Sequence, residues 1–399
     1  MFVCRQMSLY TQVFRQSRNQ FIRHLSSFRY EDLQVTMTKT PALKPDEKII
    51  KFGSHFSDHM LEINWSEEKG WGVPKIKPTT SFQMHPASKV LQYASQAFEG
   101  LKAYRCVDGQ IRLFRPNENC RRLKTSAQRI GLPDFDQIEL LRCLKKLISI
   151  DHEWVPQSIN SSLYIRPTFI GTEPTLGVNN SSMAKLFVIT SPVGSYFPTA
   201  LEPLSLLADP HYIRAWPGGC GSYKISSNYA PTVPIQSQAL KKYGCQQMLW
   251  LFGDDHQMTE AGTMNLFIYW VNEQGEKELI TPPLNSGLVL PGITRKSILE
   301  LCLEWKEFKV SEKSISMKTF SEALKLGRVK EVFGAGTACV VCPVNKILYL
   351  DQELSLKIDT HNSLTQRIYK ELIDIHYYRK PHHWMEDVDD EEESITDRG

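Results

Sequence analysis

A lysine and a glutamate in the second half of the chain could together support one kind of covalent chemistry. Lys224 lies in Gly-Ser-Tyr-Lys-Ile-Ser-Ser-Asn-Tyr, and Glu260 opens Glu-Ala-Gly-Thr-Met-Asn further along the chain. A single lysine or glutamate usually lies on the protein surface in contact with water. An amine can, however, hold pyridoxal phosphate as a Schiff base, and the ring of that cofactor accepts electrons when a fixed carboxylate keeps its nitrogen protonated. The pair therefore predicts a pyridoxal phosphate site, with Lys224 as the nucleophile and Glu260 beside the ring nitrogen.

Two short segments could bind the phosphate of such a cofactor. In Leu-Pro-Gly-Ile-Thr-Arg, the backbone N–H groups of Ile293 and Thr294 would point out of a helix start, where an anion is favoured. In Gly-Ala-Gly-Thr-Ala, two glycines allow close backbone approach and Thr337 adds a hydroxyl. Neither segment has the Gly-Lys-Ser/Thr ending of a nucleotide-binding loop. Arg122 could offer a bidentate guanidinium to the same phosphate, and its neighbour Arg121 is equally suited by sequence alone.

The elements that must position these residues indicate a mixed α and β protein. Residues 101–104 and 110–114 alternate like paired strands around Asp108-Gly109, which predicts a hairpin. Apolar residues at helical spacing predict a surface helix over residues 136–154. Further strands are predicted over residues 162–165, 186–190, 204–208, 247–252, 266–271 and 331–333, and further helices over residues 294–305, 319–326 and 364–377. The predicted fold class is therefore α+β.

Length and composition predict two domains. The chain has 399 residues, of which 41% are apolar and 23% charged, so it can bury two ordinary cores. A loop-rich boundary gives an N-terminal α/β domain over residues 52–195, a connection over 196–205 and a C-terminal domain over 206–385 that carries the cofactor residues. Residues 386–399 are acidic with almost no apolar content, and we assign them no structure. The formal charge of +3 does not indicate a nucleic acid partner.

The first 30 residues have the composition of an organellar presequence. They contain five arginines and no acidic residue, which predicts import into the mitochondrial matrix. A polar segment over residues 31–51 is predicted to be a linker, with folded structure beginning near Phe52. We see no apolar stretch suited to a secretory signal or a membrane span, so we expect a soluble intracellular protein with no membrane partner. The alternative is a cytosolic protein with a basic tail.

The nine cysteines lack the regular pairing of a secreted disulfide framework, which favours a reducing compartment. Only Cys339-Val-Val-Cys342 has a suggestive spacing. A zinc site would need a second pair of ligands at similar spacing, and we expect no metal. A buried apolar pair and a thiol switch both remain open.

Eight short stretches resemble one protein family, and their occurrence together in order along the chain is far more specific than any single stretch. They are Phe-Glu-Gly-Leu-Lys-Ala from residue 98, Ser-Leu-Tyr-Ile-Arg-Pro from 162, Gly-Thr-Glu-Pro-Thr-Leu-Gly-Val from 171, Ala-Asp-Pro from 208, Ile-Arg-Ala-Trp from 213, Glu-Ala-Gly-Thr-Met-Asn from 260, Leu-Pro-Gly-Ile-Thr-Arg from 290 and Phe-Gly-Ala-Gly-Thr-Ala-Cys from 333. Over about residues 32–384 the chain resembles the branched-chain amino acid aminotransferases, which are fold type IV pyridoxal phosphate enzymes. The resemblance implies a two-domain fold with the active site between the domains and beside a dimer interface, and hence a homodimer.

The resemblance also implies a role for each site residue. Lys224 would hold the cofactor and then move a proton between the substrate's α-carbon and the cofactor. Tyr229 would hydrogen-bond the cofactor's phenolic oxygen, and Glu260 would keep the ring nitrogen protonated. The phosphate would be bound by Arg122, Ile293, Thr294 and Thr337, with Arg214 supporting the site. The substrate would be contacted by Tyr164, Phe52, Phe98, Thr263 and Ala338, with Tyr93 coming from the neighbouring subunit.

The implied reaction is transfer of an amino group between leucine, isoleucine or valine and 2-oxoglutarate. Three aromatic side chains would form an apolar slot for the branched side chain, while a polar rim accepts the side chain of glutamate. Another fold type IV activity, D-amino acid aminotransferase or aminodeoxychorismate lyase, is an alternative, and the long match over residues 171–178 argues against it.

The sequence departs from the family pattern directly after the reactive lysine. Family members would have two glycines where this chain has Ser226-Ser227, and serine fits only if the backbone there has φ below zero. This change motivates a second alternative, a catalytically impaired relative that binds the cofactor or senses redox state. The Cys339 and Cys342 pair matches a redox-switching thiol pair of animal relatives, which makes such a switch a further hypothesis.

Overall fold

The structure is a computed structural model that describes residues 27–47, 50–159, 161–194, 201–357 and 363–389. Residues 1–26 of the predicted presequence, 196–200 of the predicted connection and 390–399 of the predicted tail lie outside these ranges. Two β-sheets and seven α-helices organise the described residues. The predicted α+β class is therefore confirmed.

The first sheet has ten strands, and nine of them precede residue 195. The nine are β1 (Gln34–Val35), β2 (His59–Ser66), β3 (Gly70–Trp71), β4 (Lys75–Pro78), β5 (Gln96–Phe98), β6 (Leu101–Arg105), β7 (Ile111–Phe114), β8 (Ser162–Gly171) and β9 (Met183–Val193). Their hydrogen-bonded order is β1-β4-β2-β9-β8-β6-β7, with β3 on β2 and β5 on β8. The long antiparallel pair of β8 and β9, in register from Ser162 with Val193 to Gly171 with Ala184, forms the centre of this sheet.

The second sheet has nine strands and begins after the chain leaves β9. They are β10 (Leu204–Ala208), β11 (Gln247–Phe252), β12 (Gln257–Ala261), β13 (Met264–Val271), β14 (Lys277–Thr281), β15 (Lys309–Glu312), β16 (Val329–Gly336), β17 (Val340–Tyr349) and β18 (Gln352–Ser355). Their order is β12-β11-β10-β17-β16-β13-β14-β15, with β18 on β17. A last strand, β19 (Met385–Asp387), returns to the first sheet and pairs antiparallel with β7.

The helices pack on both sheets. They are α1 (Lys89–Tyr93), α2 (Pro116–Arg129), α3 (Gln137–Ile150), α4 (Thr232–Tyr243), α5 (Ile293–Trp305), α6 (Met317–Lys325) and α7 (Leu364–His376). Short 3₁₀ turns occur at Tyr30–Asp32, His152–Trp154 and Ser226–Asn228. Within the described ranges, no helix is both long and apolar enough to cross a membrane.

Helix α3 shows why the periodicity of the sequence was informative. The carboxylate of Asp136 accepts hydrogen bonds from the backbone N–H groups of Ile138 and Glu139, which satisfies donors that a helix start leaves free. The apolar positions of the predicted helix are buried on one face: Leu140, Leu141, Leu144, Leu147 and Ile148. The helix ends at Ile150, so the last four residues of the predicted range form a turn and a 3₁₀ segment instead.

The other predicted elements are also present, with different ends. The predicted hairpin is formed by β6 and β7, which pair antiparallel. Strand β8 extends to Gly171, well past the predicted end at residue 165. The strands predicted in the second half correspond to β11, β13 and β16, and the helices to α5, α6 and α7.

The folded part begins earlier and ends later than predicted. Phe28 is 3% exposed and packs edge-on against Trp71, and β1 pairs with β4 inside the predicted linker. At the other end, β19 includes two acidic residues of the predicted tail. Arg112 forms a 2.6 Å ion pair with Asp387, and the Asn117 amide donates to Glu386 at 2.6 Å. Composition could not indicate these partners, because they lie far away in the sequence.

Candidate active site

A cavity of about 440 Å³ is lined by residues of both sheets. It is bordered by β8 of the first sheet, by the end of β16 in the second sheet and by the start of α5. Most of the predicted site residues line it: Lys224, Arg122, Tyr229, Ile293, Thr294, Thr337, Tyr164, Phe52, Phe98, Thr263, Ala338 and Cys339. Residues that are distant in sequence therefore meet at one place.

The segment that carries Lys224 is held by the first sheet and by α2. The backbone N–H of Phe98 donates to the Lys224 carbonyl at 3.1 Å, and the Lys224 N–H donates to the Ser126 hydroxyl at 2.9 Å. With its backbone fixed, the lysine extends its side chain into the cavity, where Nζ donates to the Tyr229 hydroxyl at 3.0 Å. The amine also lies 4.8 Å from the centre of the Phe98 ring.

Glu260 is buried behind the cavity wall. Its Oε1 accepts hydrogen bonds from the Leu290 N–H at 3.0 Å and from the Asn265 amide at 3.1 Å. Its Oε2 lies 2.8 Å from the Arg214 guanidinium. Burial raises the pKa of Glu260 even though Arg214 opposes the shift. A further positive hydrogen-bond donor, such as a protonated pyridine nitrogen, would therefore stabilise the ionised carboxylate.

The start of α5 offers an anion site at one end of the cavity. Gly292 precedes the helix and has no side chain to cap it, so the N–H groups of Ile293 and Thr294 are directed at the cavity that these residues line. A Cβ atom at Gly292 would lie 1.9 Å from the Asn265 Oδ1 atom. Glycine is therefore required there, because the backbone passes too close to Asn265 for any side chain.

Arg122 faces the same end of the cavity, whereas Arg121 does not line it and pairs with Glu118 at 3.3 Å. Glu99 holds the Arg122 guanidinium through Nε at 2.7 Å and through one terminal nitrogen at 2.9 Å. Burial alone would raise the pKa of Glu99, but the charge and hydrogen bonds of Arg122 keep it below the ordinary value. The other terminal nitrogen donates to the Pro291 carbonyl at 2.9 Å. A guanidinium has five N–H groups, so two remain to bind an anion.

These groups fit pyridoxal phosphate. An uncapped helix start, two guanidinium N–H groups and the Thr337 hydroxyl form a donor set for a phosphate. The Lys224 amine and the buried Glu260 carboxylate provide the two groups that the ring requires. The residues placed here to hold the cofactor include those that sequence analysis predicted, and Arg214 lies behind Glu260 as its charge partner.

Another part of the cavity, called its aromatic end below, is lined by rings. The rings of Phe52 and Tyr164 meet edge-on with their centres 4.9 Å apart. The rings of Phe98 and Tyr229 also meet edge-on, with the same distance of 4.9 Å between their centres. A Cβ atom at Gly100 would lie 1.9 Å from the Tyr164 hydroxyl oxygen, so glycine leaves room for that ring.

Arg166 lines this aromatic end and was missed by sequence reasoning. Its guanidinium donates to the Tyr164 hydroxyl at 3.0 Å and lies 4.9 Å from the centre of the Phe98 ring. Its Nε–H is buried and has no hydrogen-bond partner among the described residues. The strand pattern could have found it, because Tyr164 and Arg166 are two residues apart in β8 and therefore face the same side.

Four predicted residues do not line the cavity: Glu260 and its partner Arg214, described above, and Tyr93 and Cys342. Tyr93 is 44% exposed, and its hydroxyl donates to the Leu176 carbonyl at 2.6 Å. Cys342 is buried, and the hydrogen bond with the Cys339 thiol together with burial raises its pKa. Cys339 lies at the cavity wall, where its thiol contacts the Met264 sulfur at 3.3 Å.

Comparisons with known proteins agree with this geometry. The model of the family described as amino-transferase class IV matches residues 96–347. The chain is 53% identical to the mitochondrial branched-chain-amino-acid aminotransferase of Bos taurus, over 90% of this chain and 92% of that protein. It is also 53% identical to the cytosolic branched-chain-amino-acid aminotransferase of Mus musculus, over 90% and 93% of the two chains.

A solved structure shows the same fold. The branched-chain amino acid aminotransferase of Escherichia coli superposes with a TM-score of 0.66 at 24% identity, over 82% of this chain and 99% of that one. Class IV aminotransferases use pyridoxal phosphate, the cofactor that the cavity fits. The chain belongs to the amino-transferase class IV family and, within it, to the branched-chain-amino-acid aminotransferases.

Proposed function

We propose that this protein transfers the amino group of L-leucine, L-isoleucine or L-valine reversibly to 2-oxoglutarate, giving branched-chain 2-oxo acids and L-glutamate. Two findings support the proposal: membership of the family, and a cavity that combines a cofactor-binding end with an aromatic end. The observation that carries the substrate assignment is that the Arg166 guanidinium lies within the aromatic end, beside Tyr164 and Phe98.

Lys224 moves the proton in this proposal. When bound, the cofactor supplies an electron-accepting ring that eases removal of the proton from the substrate's α-carbon. Nζ of Lys224 would take that proton as a general base and release it again as a general acid. The hydrogen bond to Tyr229 orients the amine, since the tyrosine is fixed by its own contact with the Phe98 ring.

The aromatic end accepts two chemically different side chains. Phe52, Phe98 and Tyr164 form an apolar surface that buries a branched aliphatic side chain. The Arg166 guanidinium, which lines the cavity, can pair with the side-chain carboxylate of glutamate or 2-oxoglutarate when either enters the same space. The aromatic end can thus accept both the branched-chain substrate and glutamate, because the Arg166 guanidinium supplies a positive charge and the rings supply apolar walls.

The protein acts as a homodimer in this proposal. Tyr93 is exposed, and its hydroxyl ties α1 to the loop that carries Leu176. These two segments also carry three other exposed apolar side chains: Leu91, Leu176 and Val178. A second copy covering these side chains would bury apolar area that is otherwise in contact with water.

We place the protein in the mitochondrial matrix on the basis of the arginine-rich, acid-free first 30 residues. Relatives at similar identity include mitochondrial and cytosolic proteins. Fusion of residues 1–40 to a fluorescent protein tests the assignment. Mitochondrial import is expected, and diffuse cytosolic fluorescence would contradict it.

A coupled transamination assay tests the function. Purified protein loaded with pyridoxal phosphate is supplied with 2-oxoglutarate and one amino acid from a panel, and glutamate formation is followed. Leucine, isoleucine and valine are expected to be the best substrates, and Lys224→Ala should lower the rate about 10⁴-fold or more because the proton carrier is lost. Equal rates for D-amino acids, or no turnover of any branched-chain amino acid, would contradict the proposal.

A further inference from the structure

A buried lysine outside the cavity joins the two sheets behind the active site. Lys102 lies in β6 of the first sheet and is 8% exposed. Its Nζ donates to the carbonyl of Ala338 at 3.0 Å. Ala338 belongs to the turn over residues 337–339, which connects β16 and β17 of the second sheet.

The position of Lys102 relative to this turn is informative. Ala338 and Cys339 line the large cavity, whereas Lys102 does not. Lys102 instead borders a separate small cavity of about 20 Å³, together with Thr294, Thr337 and other residues. The amine therefore contacts the turn from behind, and the active site lies in front of it.

This contact determines which way the peptide groups of the turn face. In a trans peptide the C=O and the N–H point in opposite directions. When Lys102 holds the Ala338 carbonyl from behind, the N–H of Cys339 is directed to the opposite side, toward the active site. The strand ladder does not use the N–H groups of this turn, since β16 ends at Gly336 and β17 begins at Val340.

We propose that Lys102 is a positioning residue for the substrate's α-carboxylate, because it holds the turn over residues 337–339 with the Cys339 N–H aimed at that carboxylate. The inference rests on the proposed function, which supplies the amino acid substrate. In this proposal Lys102, a residue of the first sheet, helps to position a turn of the second sheet that contacts the substrate's α-carboxylate. Lys102 itself touches neither substrate nor cofactor.

The surroundings of Lys102 argue that its amine is retained for this contact. Among the described residues no carboxylate forms an ion pair with it. Burial lowers the pKa of Lys102 to about 8, with Cys339 opposing the shift. The neighbouring His376 is buried and neutral, because burial, and then the charge of Lys102, lower its pKa to about 3. A buried amine without a carboxylate costs stability, so an apolar residue would suit this position better if packing were its only role.

The test compares ligands with and without the carboxylate. Lys102→Met keeps most of the unbranched apolar stem of the side chain but removes the donor. In this variant, loaded with pyridoxal phosphate, we expect the KM for leucine and for 2-oxoglutarate to rise about tenfold, the factor that one lost hydrogen bond of this kind predicts. The kcat should stay within about twofold. Binding of 3-methylbutylamine, which is leucine without its carboxylate, should change less than about twofold in a titration followed by the cofactor's absorbance.

Two further variants complete the design. Lys102→Gln keeps an N–H donor on a shorter side chain and should give KM values between those of wild type and Lys102→Met, which also covers the case in which the methionine variant fails to fold. His376→Phe alters the packing of the same buried region without touching the Ala338 carbonyl, and its KM for leucine should stay within about twofold of wild type.

Specific outcomes overturn the inference. Unchanged leucine affinity in both Lys102 variants would do so, as would equal losses for leucine and for 3-methylbutylamine. Lower thermal stability with unchanged KM values would assign Lys102 a structural role only. Failure of the proposed function is distinguishable, because wild-type protein would then not transaminate leucine at all.

Discussion

The two ends of the active-site cavity are formed by different kinds of chemical group. The candidate cofactor end consists of backbone N–H groups at the start of α5, the turn after β16 and the buried carboxylate of Glu260. The substrate end uses whole side chains: the rings of Phe52, Phe98 and Tyr164, and the Arg166 guanidinium. Backbone groups recognise an anion whose shape never changes, whereas side chains form a slot that two unlike substrates must share. Changes at the two ends should therefore have different kinetic signatures.

Among substitutions that leave Lys224 in place, the largest effect is expected at the cofactor end, from Glu260→Gln. Loss of the carboxylate removes the partner that keeps the ring nitrogen protonated, so kcat should fall about 100-fold for every substrate alike. Steady-state kinetics with leucine and valine measure this. Glu278→Gln is a matched control, since Glu278 is also buried but accepts from Trp270 on β13. A drop confined to one substrate would contradict the assignment of Glu260 to the cofactor.

A selective effect is expected at the substrate end, from Arg166→Met. The KM for 2-oxoglutarate should rise roughly 50-fold, because hydrogen bonds to a charged group are worth about 1.5–3 kcal/mol. The KM for leucine should change less than about threefold, since methionine keeps the wall apolar. Arg121→Met, an exposed arginine outside the cavity, is the control. Equal changes for both substrates would break the distinction between the two ends.

The thiol pair beside the cavity should give a moderate and reversible effect. Peroxide should oxidise Cys339 at the cavity wall, and Cys342 can then condense with it to a disulfide. The turn over residues 337–339 would shift, so activity should fall and return after treatment with a thiol reductant. Cys339→Ser should be insensitive to peroxide. Wild-type activity that peroxide leaves unchanged would remove the redox hypothesis.

The smallest effect is expected from Ser226→Gly. Ser226 and Ser227 are absent from the non-glycine residues with positive φ, so neither serine is strained where family members would have glycine. We expect kcat and KM within about threefold of wild type, and a free energy of unfolding lower by about 0.5–1 kcal/mol because glycine gains backbone freedom in the unfolded chain. Chemical denaturation and the transamination assay measure these quantities. A tenfold gain in kcat would instead support the impaired-relative alternative.

Most residues of the candidate cofactor end could be proposed from sequence. Lys224, Glu260, Ile293, Thr294 and Thr337 lie in short segments whose residue types already specify a helix start, a strand exit or a reactive amine. Turn and cap chemistry is local, so it can be recognised without knowledge of the fold. Even here, sequence alone could not decide whether Arg121 or Arg122 faces the phosphate. The buried Glu99 that holds Arg122 was identified only in the structure.

The substrate end was less predictable. Aromatic residues fill cores in most proteins, so Phe52 and Phe98 could be assigned only through the family resemblance. Arg166 was missed although it lies two residues from Tyr164, because a charged residue in a strand usually faces solvent. The two ends of the folded region were also misplaced, since Phe28 and Asp387 depend on partners that are distant in sequence.

The amino-acid sequence by itself determined the residue types on which the proposed chemistry depends: a lysine, a carboxylate and a Pro-Gly helix start, together with the hydrophobic periodicity of most elements. These follow from residue types over a few positions, where local sterics and hydrogen bonding decide. Only the tertiary structure decided which arginine faces the cavity, that Arg166 shares a slot with three aromatic rings, and that Lys102 holds the Ala338 carbonyl across the two sheets. Those contacts join residues far apart in the chain, and the packing of one sheet against the other is what brings them within hydrogen-bond distance.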